Sequence, residues 1–330
     1  VGLTIKASQQ RLEDSLEHVA IITLAVGPRA KSFAETLIQS YENNADTDCP
    51  LFLVTEDIAY FDKTLSSVNQ HTKDRVHFVL VGQDPAAPLV ESDNPEERQK
   101  QKLARAVERA KNNGTEPVLA NNIHMRVKLL KTKLLKLVPS QYEYVLYVDS
   151  DMVFGKPLKI FLYHAIQKYL EPKNPIRPKS YAYSPNKNTV LALFPDIGLS
   201  TAPYHTGVML LSRSKSRHLL SRWASDISTG KFRRDQRALV HTVRALHARQ
   251  RVALFSTSAE DRFFTFVNGT VFESLKPFTF VHATMYRLTQ PERFGFTHEQ
   301  ARRYYNEVLH APYLYDFLSD EAKVFLEGKV

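Results

Sequence analysis

The sequence predicts an α/β fold built on a single Rossmann-like, mixed and mostly parallel sheet flanked by helices. Apolar runs rich in β-branched residues alternate with amphipathic stretches along the first half of the chain, as in successive βαβ units. An acidic triplet follows one of these runs directly, at the point where open α/β sheets bind ligands. The 330 residues contain no internal repeat and no clean change in composition, so one elaborated domain is favoured over two.

The elements follow in chain order from these patterns. Buried strands are predicted at residues 18–26, 50–55 and 75–81, with helices at 30–43 and 57–70 between them. A helix at 121–138, ended by Pro139, leads into a strand at 144–148. The elements predicted after it are a helix at 158–169, a Pro-rich loop at 171–188, a strand at 207–211, helices at 214–227 and 234–248, and strands at 251–255 and 278–281.

The chain divides into three predicted segments. Residues 1–17 form a lead-in, residues 18–290 the main domain, and residues 291–330 a C-terminal helical extension. Within the main domain, residues 84–116 are crowded with charged side chains and are predicted to be an exposed insertion.

Charge and cysteine content exclude several function classes. The net charge of +9 is spread over separate segments, and no base-reading module is recognisable, so we expect no nucleic-acid partner. A basic cleft around a nucleotide diphosphate explains part of the charge equally well. Cys49 is the only cysteine, which excludes an intrachain disulfide and a thiolate metal cluster.

Two sequence patterns bear on the compartment. Asn113-Gly114-Thr115 and Asn268-Gly269-Thr270 match the N-glycosylation acceptor pattern, which favours the Golgi or ER lumen, with the cytoplasm as the alternative. No apolar run approaches the ~20 residues that cross a membrane. Because the sequence begins at Val1 and not at Met, a signal peptide or a type II membrane anchor upstream is compatible with it.

The acidic triplet Asp149-Ser150-Asp151 is the strongest chemical signal. Side chains of an extended chain alternate, so Asp149 and Asp151 point the same way and can share one cation. Carboxylate oxygens suit Mn²⁺ or Mg²⁺ that carries a phosphorylated substrate. The structural alternative is a pair of turn or cap residues. Apolar residues on both sides favour the metal, because an unpaired buried charge is costly.

Three further stretches carry candidate site residues. His282 ends a predicted strand and is either a third metal ligand or an edge residue. Gly207 would allow a close backbone approach to a ligand, or marks a plain turn. Asp235 begins a predicted helix, where it either contacts a ligand or only interacts with the helix dipole.

In this order, the motifs resemble those of GT-A-fold nucleotide-sugar glycosyltransferases and are most similar to glycosyltransferase family 8, the glycogenin-like retaining enzymes. The resemblance covers residues 18–287. It implies metal ligands at Asp149, Asp151 and His282, and catalytic contacts near the anomeric carbon from Asp235 and Gln236. It implies a nucleotide and diphosphate site at Thr23, Leu24, Lys131 or Lys133, Ser150 and Arg287, and donor-sugar or acceptor contacts at Asp196, His205, Thr206 and Gly207.

The sequence departs from the family at two motifs. The family's turn usually opens with Asn, whereas this chain has His205. The late motif lacks the family's glycine and Lys-Pro-Trp run after His282, and Arg287 stands in for the phosphate-binding lysine. No self-glycosylation tyrosine is identifiable, so the resemblance does not extend to glycogenin itself.

The resemblance implies a metal-dependent hexosyl- or pentosyltransferase with Mn²⁺ or Mg²⁺ as cofactor. The expected donor is a UDP-sugar, the acceptor a hydroxyl of a glycan, glycoprotein or other molecule, and the outcome retention of anomeric configuration. A metal-dependent nucleotidyltransferase is one alternative, although residues 25–29 make a poor glycine-rich phosphate loop. A catalytically silent sugar- or polyphosphate-binding module is the other, and the intact acids argue against it.

Overall fold

The computed structural model describes residues 16–81, 123–155, 158–172, 188–195, 203–229, 232, 234–247, 251–255, 264–266 and 279–282. At 28–29, 123–126, 264–266 and 281–282 the description covers the backbone alone. The predicted insertion at 84–116 and the predicted extension at 291–330 lie outside the described residues.

The main sheet of the described chain has seven strands. They are β1 (Val19–Leu24), β2 (Leu51–Thr55), β3 (Val76–Leu80), β4 (Tyr144–Val148), β6 (Leu191–Pro195), β7 (Tyr204–Ser212) and β8 (Val252–Leu254). Their spatial order is β3-β2-β1-β4-β7-β6-β8. Every neighbouring pair is parallel except the two that β7 makes, with β4 and with β6. The predicted fold class, a mixed and mostly parallel sheet flanked by helices, is confirmed.

A second, three-stranded sheet lies beside the acidic triplet. It contains β5 (Met152–Phe154), β9 (Phe264–Phe266) and β10 (Phe280–His282), with β10 in the middle. In the antiparallel pairing of β10 with β5, the backbone of His282 lies opposite that of Met152. β5, β6 and β9 are not among the predicted strands, and β5 and β9, with three residues each, are too short to give a period-two signal.

The helices flank the main sheet. They are α1 (Pro28–Asn44), α2 (Asp62–Ser67), α3 (Gln70–Arg75), α4 (Ile123–Lys131), α5 (Leu134–Leu137), α6 (Leu158–Ala165), α7 (Arg213–Ser228) and α8 (Asp235–Ala245). A 3₁₀ turn at Ala59–Phe61 precedes α2, and a π turn at Ile166–Leu170 continues α6. None of the described helices has both the length and the apolar character that a membrane span requires.

Two predicted helices are each split in the structure. The helix predicted at 57–70 ends at Ser67, and α3 begins after Asn69, whose side chain caps it by accepting from the Thr72 backbone. The helix predicted at 121–138 breaks after Lys131, because the next two backbone N–H groups bond three residues back, to Leu129 and Leu130. This break makes Lys131 the last residue of α4.

Both faces of the sheet are buried, which explains why its strands are continuous apolar runs. Val19 and Ile21 of β1 pack into one core with side chains from α1 and α6. Ala20 and Ile22 pack into the other with side chains from α4, α5, α7 and α8. With both faces covered, the edge at the carboxyl ends of β1 and β4 is where a ligand can reach the sheet.

Candidate active site

A cleft of about 370 Å³ opens at the carboxyl ends of β1 and β4. Its apolar lining residues come from β1, the turn after it, α1 and α4: Leu24, Val26, Gly27, Ala30, Phe33 and Val127. Its polar lining residues are Lys128, Lys131, Tyr147, Asp149, Ser150, Asp151 and Asp235. The cleft therefore combines an apolar lining with five charged groups, which is the usual make-up of a small-molecule site.

Lys131 lies between two acids of the cleft, Asp149 and Asp235. Its Nζ lies 2.8 Å from Asp149 Oδ1 and 3.0 Å from Asp235 Oδ2, and 5.1 Å from the centre of the Tyr147 ring. Burial disfavours the charged ammonium, but Asp149 and Asp235 outweigh burial and raise the pKa of Lys131 well above its usual value. The side chain is therefore a permanent cation in the folded protein.

Asp149 is held at the end of β4 by backbone and side-chain contacts. Its backbone N–H donates to the Gly207 carbonyl at 2.7 Å, and the Tyr147 hydroxyl donates to Oδ1. Burial would raise the pKa of the Asp149 carboxyl, but Lys131 and, less strongly, His205 lower it. Burial and the Asp149 charge raise the pKa of Tyr147 well above its usual value, so the phenol keeps its proton.

Asp235 begins α8, where helix N–H groups favour an anion. Its Oδ2 accepts from the Thr206 hydroxyl at 3.0 Å as well as from Lys131. Burial would raise the pKa of this carboxyl, but Lys131 and these hydrogen bonds lower it to about 2. The Trp223 indole N–H donates to the Asp235 backbone carbonyl at 3.1 Å and so ties the start of α8 to α7.

The antiparallel direction of β7 brings its amino end to the carboxyl end of β4. Val208 lies opposite Val148, so the residues before Val208 lie beside Asp149. The Gly207 backbone N–H donates to His205 Nδ1 at 3.1 Å. A Cβ on Gly207 would lie 2.3 Å from His205 Cε1 and 2.8 Å from Met152 Cε. Glycine is needed here because the His205 ring occupies the space of a side chain.

The predicted site residues separate into groups in the structure. Leu24, Lys131, Asp149, Ser150, Asp151 and Asp235 all line the cleft, and Thr206 contacts the carboxylate of Asp235. Thr23 is buried within β1 and its hydroxyl has no hydrogen-bond partner in the described structure. Thr23, Lys133 and Gln236 are not among the cleft lining, which favours Lys131 over Lys133 as the lysine that faces a ligand.

Several predictions fall beyond the described part of the chain. Asp196, Arg287 and the two glycosylation patterns at Asn113 and Asn268 lie outside the described residues. His282 is described by its backbone only, which pairs with Met152, the residue directly after Asp151. The roles assigned to these residues stay predictions.

The acids of the cleft suit a divalent cation whose other coordination positions are filled by a bound ligand. Within the described side chains, no group of three or more His, Cys, Asp or Glu residues is arranged to hold a metal ion. The triplet is a turn, closed by the Met152 backbone N–H that donates to the Asp149 carbonyl at 3.1 Å, and not the predicted extended segment. Asp149 and Asp151 nevertheless line one cleft, and both are hard oxygen donors. Mg²⁺ is commonly bound by one or two carboxylates together with substrate phosphates, so this donor set suits a metal that arrives with a diphosphate.

Three residues of the site are not among those predicted from the sequence. Tyr147 could have been found, because it lies two residues before Asp149 and shares its side of β4. Lys128 could also have been found, because it precedes Lys131 by one helical turn. Trp223 gave no signal, since its contact with Asp235 joins two separate helices.

Comparison with known proteins gives only distant similarity. No family model matches the sequence. No curated protein matches it either.

Among solved structures, mouse xyloside xylosyltransferase 1 in its apo form is 9% identical with a TM-score of 0.47, over 80% of this chain and 97% of that one. An active-site mutant of LgtC is 12% identical with a TM-score of 0.47, over 80% of this chain and 86% of that one. A glycosyltransferase involved in glycosylation of the major capsid of PBCV-1 is 14% identical with a TM-score of 0.40, over 86% of this chain and 97% of that one. Likeness at this level does not extend an activity or a ligand to this chain.

Proposed function

We propose that this protein is a metal-dependent GT-A glycosyltransferase that moves a sugar from a nucleotide diphosphate sugar to an acceptor hydroxyl. The observation that carries the proposal is the Lys131 ammonium held between Asp149 and Asp235 in a cleft at the carboxyl ends of β1 and β4. A UDP-sugar is the expected donor and retention the expected outcome, both from the family resemblance of the motifs.

The cleft matches the chemistry of such a donor. The apolar side chains of Leu24, Val26 and Phe33 suit a planar base. Lys128 and Lys131 are cations in the same cleft and suit the diphosphate. Asp235 is ionised at neutral pH and accepts hydrogen bonds only, so it suits the hydroxyl groups of the donor sugar.

The reaction breaks the bond between the anomeric carbon and the diphosphate oxygen and forms a bond from that carbon to the acceptor oxygen. The departing diphosphate gains negative charge, which the ammonium groups of Lys131 and Lys128 would stabilise. For retention, the acceptor attacks on the face from which the diphosphate leaves, and the leaving phosphate oxygen takes the acceptor's proton. Asp235 would orient the donor sugar during this exchange.

Asp149 and Asp151 would hold the divalent cation, with His282 proposed as a third protein ligand on the strand that pairs with β5. When bound, the cation supplies a Lewis acid that neutralises charge developing on the diphosphate. The chain's own contribution is to orient Asp149, through the Gly207 carbonyl that accepts from its N–H and the Tyr147 hydroxyl that donates to its carboxylate.

The test is a thermal-shift screen of nucleotide sugars with Mn²⁺, followed by assays of hydrolysis and transfer with the donor that binds. A ligand that binds only the native state raises the melting temperature. Asp151→Asn should lower turnover by at least about a hundredfold. Asp62→Asn, on exposed α2, is the matched control and should turn over like the wild type. Unchanged turnover of Asp151→Asn would exclude the proposed metal role.

A further inference from the structure

One ammonium group contacts two of the three acids on which the proposed chemistry depends. Lys131 Nζ is within hydrogen-bond distance of Asp149 Oδ1 and of Asp235 Oδ2. Asp149 Oδ1 also accepts from Tyr147, and Asp235 Oδ2 also accepts from Thr206. The two oxygen atoms that face each other across Lys131 therefore have their acceptor positions filled by groups of the protein itself.

A cation that binds Asp149 must compete with this arrangement. Three carboxylates line the cleft, those of Asp149, Asp151 and Asp235, against the ammonium groups of Lys128 and Lys131. Lys131 Nζ lies within 3.0 Å of two of the three and is buried, so water screens its charge weakly. Its positive charge neutralises the Asp149 carboxylate and also repels a second cation.

We propose that Lys131 is a built-in counter-ion that takes the cation's place in the unloaded protein and must leave Asp149 when a divalent cation binds. The inference rests on the proposed function, because it takes Asp149 as a metal ligand. A diphosphate that arrives with the cation gives the displaced ammonium a new anionic partner. Cation alone consequently binds weakly, and cation with a nucleotide diphosphate binds tightly.

The experiment titrates Mn²⁺ alone, without nucleotide, into the full chain and measures the dissociation constant by calorimetry and by electron paramagnetic resonance of free Mn²⁺. Lys131→Met should bind Mn²⁺ about tenfold more tightly than the wild type, because the competing charge is removed. Lys136→Met makes the same change on an exposed side chain of α5 and should bind like the wild type. An unchanged or weaker affinity in Lys131→Met, or no Mn²⁺ binding by either protein, overturns the inference.

Two further variants keep the test decisive. Lys131→Gln retains N–H donors for both acids but removes the charge, so it should fold where Lys131→Met does not and should still bind Mn²⁺ more tightly than the wild type. Adding Asp149→Asn to either variant should abolish the gain, and a gain that survives Asp149→Asn contradicts the inference.

The two proposals can fail separately. If Mn²⁺ affinity rises as expected and no nucleotide sugar is turned over, the counter-ion role of Lys131 stands and the glycosyltransferase proposal falls. If nucleotide sugars are turned over and Lys131→Met leaves Mn²⁺ affinity unchanged, the glycosyltransferase proposal stands and the counter-ion role of Lys131 falls.

Discussion

Two buried cations lie at opposite ends of the same pair of strands, β4 and β7, and they have opposite kinds of partner. At the end where Tyr144 pairs with Ser212, the Arg213 guanidinium donates to backbone carbonyls. Its acceptors are the carbonyl oxygens of Leu135, Val138, Pro139 and Tyr142. At the other end, Lys131 contacts the carboxylates of Asp149 and Asp235.

The difference separates a structural cation from a functional one. The carbonyls around Arg213 are neutral and fixed by the backbone, so no incoming ion can replace the guanidinium there. The acids around Lys131 carry charge and line an open cleft, so another cation can take its place. A buried positive charge therefore indicates a ligand site when its partners are ionised and accessible to a ligand. It indicates a purely structural contact when its partners are neutral or inaccessible.

The largest expected effect is on stability, at Arg213. Arg213→Met leaves four backbone carbonyls without their donor, and we expect the free energy of unfolding to fall by roughly 3 to 5 kcal/mol. Arg217→Met, on the exposed face of the same helix, is the control and should leave stability unchanged. Both are measured by urea denaturation. A loss no larger than that of the control would mean that water replaces the guanidinium.

Lys131→Met should cost less stability, about 2 kcal/mol at neutral pH, because the side chains of Asp149 and Asp235 are 23% and 17% exposed and water can partly solvate the carboxylates that lose their partner. The same change should abolish turnover of a nucleotide sugar, whereas Arg213 variants that remain folded should keep it. Urea denaturation and the transfer assay, run on the same preparations, check both parts. Retained turnover in Lys131→Met would place Lys131 with Arg213 as a structural cation.

The losses of stability in Lys131→Met and Arg213→Met should also differ in their dependence on pH. The pKa of Asp235 is lowered from 3.8 to about 2 in the folded protein, so its ionised form stabilises the fold above the higher value, and this contribution is lost as the pH falls toward the lower one. The stability difference between wild type and Lys131→Met should therefore shrink over this window. The cost of Arg213→Met should change less, because its four acceptors are carbonyls. Burial raises the pKa of the nearby Glu143, and Arg213 lowers it less than the hydrogen bonds from Ser212 and Ser214 do. Urea unfolding at neutral pH and at about pH 3 tests this.

The smallest expected effect comes from a matched pair of threonines. Thr206 donates to Asp235 Oδ2 at 3.0 Å in the cleft, and Thr242 donates to Asp226 Oδ2 at 2.6 Å between α7 and α8. Thr→Val at either position should lower the free energy of unfolding by about 1 to 2 kcal/mol. Only Thr206→Val should reduce turnover. Equal losses of turnover in the two variants would show that Asp235 is no more specific to the site than Asp226.

The sequence predicted the parts of the site that depend on local pattern. Asp149 followed from the strong apolar run of β4, whereas the role of Asp235 followed from the Asp-Gln pair of the family that the motifs resemble. The choice between Lys131 and Lys133 could not be made, because it depends on where the helix breaks. The break comes from two backbone N–H groups, those of Thr132 and Lys133, that each bond to the carbonyl three residues earlier. The bond from Thr206 to Asp235 joins a strand to a helix and has no local signal.

The separation of Lys131 and Asp235 along the chain has a consequence for folding. They are 104 residues apart, and the strands that intervene must pair before the ammonium can reach the second carboxylate. Contacts between such distant residues form only after the entropy of closing a long loop has been overcome. The bridge between them therefore forms late, and a nascent chain that ends before α8 carries β4 and Asp149 but lacks the Asp235 side of the cleft.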